Sequence, residues 1–269
     1  MSASHPPRDP RPISGPFRAD QLRDGDRYEL SAGHPLYCAP AGPVHATGNL
    51  RGAAVLDSDP DVEWAGIDAG FSPEPGLLRA PDVAVGPQPA AGRGWIASVP
   101  PLALEYAASG QDETDLQTKI AELIGHGTRL VWVARLTGPR RVEVYAAGQP
   151  MRVARPGEDL LAPGILRNPV PVDALFDRAA GDRATLRNLL QRCGYANLEA
   201  VRAEGRTEGI EEGRADGLAQ AVLNLLAGRG IPVDEDTRVR VGACRDPGQL
   251  DRWLLAAATA QRADGIFGD

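Results

Sequence analysis

Lysine is almost missing from this chain: one, Lys119, stands against 28 arginines in 269 residues. Cysteine is scarce as well. Cys38, Cys193 and Cys244 are odd in number, far apart and without a CxxC pair, which speaks against a zinc site or a disulfide framework and predicts ordinary buried or half-buried thiols. No stretch reaches the roughly 18 uninterrupted apolar residues of a membrane helix, and residues 1–16 hold no apolar run of the kind a secretory signal needs, so a cytoplasmic location is expected. An apolar content of 42% is enough for one sizeable core plus something smaller. The net charge of −7 argues against a chain that simply coats nucleic acid. Its distribution says more: residues 129–155 hold six arginines (Arg129, Arg135, Arg140, Arg141, Arg152, Arg155) against the single acid Glu143. They make either a local basic face or plain solvated strand and turn positions.

Residues 1–16 are rich in proline and poor in apolar side chains, so they cannot repay the entropy of ordering and are expected to be a flexible leader. Short elements follow. Residues 27–30 suit a strand, residues 33–43 are turn-rich, and residues 44–56 suit a short helix or a strand. Residues 62–69, 81–85 and 102–106 alternate or run apolar between turn signals and are predicted strands. The period then changes: Leu116, Ile120, Leu123 and Ile124 lie at helical spacing, with acids ahead and Gly125 and Gly127 behind, predicting a helix over 112–125. Residues 130–134 and 141–145 follow as strands around Thr137-Gly138-Pro139, a hairpin. Strands, a crossing helix and more strands make an α/β domain over residues 17–178. Residues 179–269 suit helices throughout and form a helical tail. Within it Gly205, Gly209, Gly213 and Gly217 recur every fourth residue, a stripe that drifts about 40° per step around a helix. It suits either a self-association seam or a weak polar helix, since each glycine costs about 1 kcal/mol relative to alanine.

Two predicted strands each carry one acid in an apolar run, Asp82 in PDVAV and Glu105 in LALEY. Alternation puts Asp82 on a face with Ala84 and Glu105 on a face with Ala103, so small neighbours leave room beside each carboxylate. Buried carboxylates cost several kcal/mol unless paired or bound to a metal, and a shared hard cation such as Mg²⁺ accounts for two on neighbouring strands. Lys119 sharpens the case. It sits at the edge of the inward stripe of the helix after Glu105, and an ammonium is a compact point charge that can orient a water and offset charge on a phosphorane-like transition state, where a guanidinium fits poorly. The competing reading has Asp82 capping a turn, Glu105 paired with an arginine and Lys119 left by drift. His34 and His45 are expected in loops, with no metal role.

At these residues the sequence resembles the Uma-two family of restriction endonucleases, within the PD-(D/E)XK superfamily. The runs RAPDVAV, PLALEYAAS, KIAELIGHGTRLVWVARL, RRVEVYAAG and PVDALF carry the resemblance over about residues 20–177. It implies an α/β (α+β) restriction-endonuclease-like core with a central mixed β-sheet, a metal site from Asp82 and Glu105, and a lysine displaced onto the next helix, Lys119. DRYELSAG resembles the family's entry strand and marks Glu29 as an extra site acid. In place of the entry motif's usual Asp-Gly-Glu stands Ser31-Ala32-Gly33-His34.

The function expected is metal-dependent endonucleolytic hydrolysis of nucleic acid, DNA before RNA. Asp82, Glu105 and the backbone carbonyl of Tyr106 would hold Mg²⁺ (or Mn²⁺), and a water would attack phosphorus beside Lys119. A homodimer through the helical tail suits cleavage of both strands of a duplex. The alternatives are an inactive module of this fold that binds nucleic acid or a protein, and a hydrolase of small phosphate esters, against which stands the lack of a Gly-rich phosphate loop.

Overall fold

The computed structural model describes residues 15–90, 94–108 and 112–268. All but the last two residues of the expected leader, 1–16, lie outside the described residues. Two compact units part after Gly194.

In the first unit β1 (Tyr28–Ser31) and β2 (His34–Tyr37) form an antiparallel ribbon, followed by helix α1 (Pro43–Asp57). A six-stranded mixed sheet follows in sequence order: β3 (Trp64–Ile67), β4 (Val83–Gly86), β5 (Leu102–Ala107), β6 (Leu130–Arg135), β7 (Arg141–Ala146) and β8 (Arg152–Ala154). Only β5 and β6 are parallel, because α2 (Glu113–Gly125) crosses between them, while every other neighbour pair is antiparallel. A small ribbon of β9 (Asp159–Leu160) and β10 (Val170–Pro171) leads to α3 (Arg178–Arg192).

β5 is buried along its whole length, which is why it reads as a nearly unbroken apolar run. Leu102, Leu104 and Tyr106 join Trp132, Ala134 and the buried side chains of α1 and α3 on one face. Ala103, Ala107, Val131 and Val133 meet Leu116, Ile120 and Leu123 of α2 on the other. The start of α2 is set by Asp112, whose carboxylate accepts from the backbone N–H of Thr114 (2.7 Å) and Asp115 (3.2 Å).

Residues 44–56, which suit either a helix or a strand, lie in a 15-residue helix whose buried positions include Gly48, Asn49 and Gly52, so no apolar stripe marks it. Two expectations are corrected. His34 lies in a strand and His45 in α1, not in loops. The thiols of Cys38 and Cys193 are exposed and that of Cys244 intermediate. In addition α3, whose residues read as part of the tail, packs on α1 within the first unit.

Glycine is needed in α1 because the sheet comes close: a Cβ at Gly52 would lie 2.6 Å from Leu104 Cδ2, and one at Gly48 2.8 Å from the Tyr106 ring. Gly52→Ala is therefore expected to lower unfolding free energy by about 1–3 kcal/mol despite alanine's better helix propensity. Urea denaturation checks this; a stabilised variant would contradict the close packing.

The second unit holds α4 (Leu198–Gly228), α5 (Glu235–Ala243) and α6 (Pro247–Ala257). Ala215, Ala219, Val222 and Leu226 of α4 build a core with Val241, Leu250, Trp253 and Ile266. The preceding stretch of α4, residues 202–214, is exposed, and nothing lies within 4 Å of a Cβ built at Gly205, Gly209, Gly213 or Gly217. Among the described residues, no helix is long and apolar enough to cross a membrane.

Candidate active site

The pairing of β4 with β5 sets Ala84 opposite Ala103 and Val83 opposite Leu104. Continuing that register by one residue puts Asp82, just before β4, opposite Glu105, so the two acids expected to act together share one end of a strand pair. Asp82 is held on three sides: its Oδ2 accepts the backbone N–H of Tyr106 (2.6 Å), and its Oδ1 accepts from His45 Nε2 (2.8 Å) and Asn49 Nδ2 (3.2 Å). In extended backbone a residue's N–H and C=O project to the same edge. The Tyr106 carbonyl therefore faces the edge where Asp82 lies.

Lys119 reaches the same place from α2. Its Nζ lies 2.8 Å from Glu105 Oε1, 3.1 Å from Glu29 Oε1 and 2.8 Å from the carbonyl oxygen of Ala80, to which it donates. Arg79, 2% exposed, ties the far side together. Its Nη1 donates to Glu29 Oε2 (2.9 Å) and its Nε to Glu122 Oε2 (2.6 Å), and Ser31 Oγ donates to the other Glu122 oxygen. The structure thus brings Asp82, Glu105, Lys119 and Glu29 together. Arg79, Glu122, His45 and Asn49 were not foreseen as members. Glu122 stands three residues after Lys119 on one helix, a spacing that marks neighbours on a face; His45 and Asn49 share the i,i+4 spacing, but only once the segment is known to be helical.

The cluster is short of positive charge. Four carboxylates, Asp82, Glu105, Glu29 and Glu122, face two permanent cations, Arg79 and Lys119. Burial pushes Glu105 up to about 8, with Asp82 and Glu29 adding to the rise and Lys119 opposing it. Burial would lower Lys119, but Glu105, Glu29 and Asp82 more than offset this and hold its ammonium above the usual lysine value. The His45 imidazole is raised, first by its hydrogen bond to Asp82. Asp68, in a left-handed backbone conformation with φ +52°, is raised by burial and then by the charge of Asp82.

Two carboxylates and a backbone carbonyl are hard oxygen donors, a set that suits Mg²⁺ or Mn²⁺ with waters completing the shell. Glu105 Oε1 is buried and ion-paired with Lys119 but makes no aligned hydrogen bond, and Asn49 Oδ1 is buried without a partner, so acceptor capacity is left over here. Among the described residues no three His, Cys, Asp or Glu side chains gather as a ready-made metal cage. The donor set fits a Mg²⁺-type site and does not fit a zinc site.

The sequence model of the Uma2 family, described as "Putative restriction endonuclease", matches residues 17–170. The chain belongs to the Uma2 family. Glu29, Asp82, Glu105 and Lys119 all fall inside the Uma2 match, and α3 and the second unit lie beyond it. A solved "putative nuclease belonging to DUF820" from Anabaena variabilis ATCC 29413 has the same fold, with 17% sequence identity and a TM-score of 0.51 over 60% of this chain and 97% of that one. No curated protein matches the Uma2 chain in sequence.

Proposed function

We propose that this Uma2 protein is a metal-dependent endonuclease that hydrolyses phosphodiester bonds of nucleic acid, DNA in the first place. The observation that carries the proposal is the meeting of Asp82 and Glu105 at one end of the β4–β5 pair, with the only lysine of the chain 2.8 Å from Glu105. Asp82, Glu105 and the Tyr106 carbonyl would hold Mg²⁺ or Mn²⁺, which when bound supplies charge neutralisation for an incoming phosphate and acidifies water. Lys119 supplies a fixed ammonium at the same point, able to orient the attacking water and to stabilise charge growing on the phosphoryl oxygens. Glu29 and the Ala80 carbonyl keep that ammonium in place. His45 and Asn49 position Asp82, and with Tyr106 N–H they fix which lone pairs it can offer. The second unit would serve a homodimer, since residues 202–214 of α4 are exposed and take no part in that unit's hydrophobic core.

One observation favours the second reading, an inactive binding module: both oxygens of Asp82 are already satisfied by protein donors. Incubation of supercoiled plasmid, single-stranded DNA and RNA with Mg²⁺, Mn²⁺ or EDTA separates the two. Metal-dependent cutting that is lost in Asp82→Asn supports the nuclease. Binding without cutting in any metal, or cutting that Asp82→Asn retains, supports the module.

A further inference from the structure

Beside the site, at the amino end of α1, lies a cleft of about 390 Å³ lined by Val44, Arg51, Arg135, Leu136, Arg140 and Phe176, among others. Its size is at the lower end of small-ligand sites, roughly 300–1,000 Å³. Arg51, Arg135 and Arg140 are among its lining residues, and among the described residues no acid lines it. Arg135 is neutralised by Glu113 (2.7 Å) and Glu143 (2.7 Å), yet its Nε is buried with no hydrogen-bond partner. Arg51 donates to the Phe176 carbonyl (2.9 Å), and Arg140 stands 6.0 Å from the Phe176 ring centroid. Among the described residues neither of these two has a carboxylate partner.

The backbone adds to the same field. Helix α1 starts at Pro43 after Gly42, which offers no side-chain cap, and the first intrahelical bond is that of Ala46 N–H to Gly42. The N–H groups of Val44 and His45 therefore have no acceptor in the helix, at the end where its dipole favours an anion. Val44, Thr47, Gly48 and Arg51 lie on one side of α1, at 3–4 residue spacing. The elements that line the cleft also reach the candidate site: His45, next to Val44, holds Asp82, Gly48 lies against the Tyr106 ring, and Arg135 follows Ala134, the register partner of Tyr106.

We infer that this cleft binds a nucleotide unit of the substrate strand next to the one being cut, its phosphate on Arg51, Arg140 and the α1 amino end and its sugar or base against Phe176 and Leu136. The inference rests on the nucleic-acid reading of the site but not on catalysis, because it concerns binding alone. It also gives Arg140, in the arginine-rich stretch 129–155, a use, whereas Arg135 is spent on Glu113 (2.7 Å) and Glu143 (2.7 Å), Arg141 on Glu143 (3.2 Å) and Arg129 on the carbonyl of Pro163 (2.6 Å).

The test is fluorescence anisotropy of a labelled duplex and a labelled single strand with the full chain in EDTA, over a series of salt concentrations. Arg140→Glu, in an exposed turn, and Arg51→Gln are compared with Arg152→Glu, the same charge change at an exposed residue of β8 outside the cleft. Arg140→Glu is expected to weaken binding about fivefold to tenfold and to reduce the slope of log K against log salt by about one, with Arg152→Glu within about twofold of wild type. Equal effects of Arg140→Glu and Arg152→Glu, or no binding of either oligonucleotide by wild type, overturn the inference. A parallel titration with inorganic phosphate at fixed ionic strength separates the sources. Phosphate binding lost in Arg140→Glu while oligonucleotide affinity is unchanged also overturns it, in favour of a free-anion site. Cutting that persists alongside unchanged affinity in Arg140→Glu removes the cleft and leaves the nuclease; cleft-dependent binding with no cutting in any metal removes the nuclease and leaves the cleft.

Discussion

Lys119→Ala is expected to cut single-turnover cleavage by about 10³-fold, the scale seen when one fixed electrostatic donor to a transition state is removed. It is also expected to destabilise the apo protein by about 3–5 kcal/mol, because Glu105 and Glu29 would keep their burial and lose the cation between them. Lys119→Arg separates the two effects. A guanidinium keeps the charge but spreads it over a planar fork, so most of the stability should return while the rate does not, since the position beside the Glu105 oxygen suits a compact ammonium. Rapid-quench rates at saturating metal and urea denaturation in EDTA give the two readouts. If Lys119→Arg cleaves at close to the wild-type rate, Lys119 acts only as a structural counter-ion.

The second large effect is expected at Arg79. With 2% exposure it offers Nη1 to Glu29 and Nε to Glu122, and it joins the ribbon strand β1 to α2 across the edge of the sheet. Arg79→Met keeps bulk and removes charge. Two carboxylates are then left with less compensation in a poorly solvated place, at a cost of about 3–5 kcal/mol and a fall in Tm on the order of 10 °C. Adding Glu29→Gln and Glu122→Gln to Arg79→Met should recover most of that loss, because the expense lies in leaving charges unpaired rather than in lacking an ion pair. Thermal unfolding of the single and triple variants decides the matter: equal destabilisation of both would mean that Arg79 acts through packing and that the carboxylates find water.

The legible parts of the fold were those where one residue pattern has one solution. The helix over 112–125 shows its apolar spacing and its Asp112 cap, and β5 and β6 show apolar runs too short for helices and bounded by turns. Helix α1 was not legible, because the side of it that packs on the sheet carries glycine and asparagine instead of large apolar groups. The reason lies in Tyr106 and Leu104, which fill the space a larger α1 residue would need, and that space is known only when helix and sheet are assembled. The same holds for α3, polar enough to read as part of a tail. Its Ala180, Ala184 and Asn188 are buried, and Asn188 donates to the Val55 carbonyl (3.1 Å) and Ser58 Oγ (3.2 Å).

At the site, the acids in two apolar strands and the solitary lysine are facts of the sequence alone, since an acid among buried neighbours demands a partner wherever the chain goes. Which partner each takes is not. The register of β4 on β5 brings Asp82 opposite Glu105, the crossing of α2 brings Lys119 to Glu105, and the packing of α1 brings His45 and Asn49 to Asp82. These are contacts between residues 14 to 37 positions apart, decided by hydrogen-bond register and by the shapes that fill the two faces of the sheet. Residue type set the need for compensation at Asp82, Glu105 and Lys119; only the three-dimensional arrangement set which groups supply it.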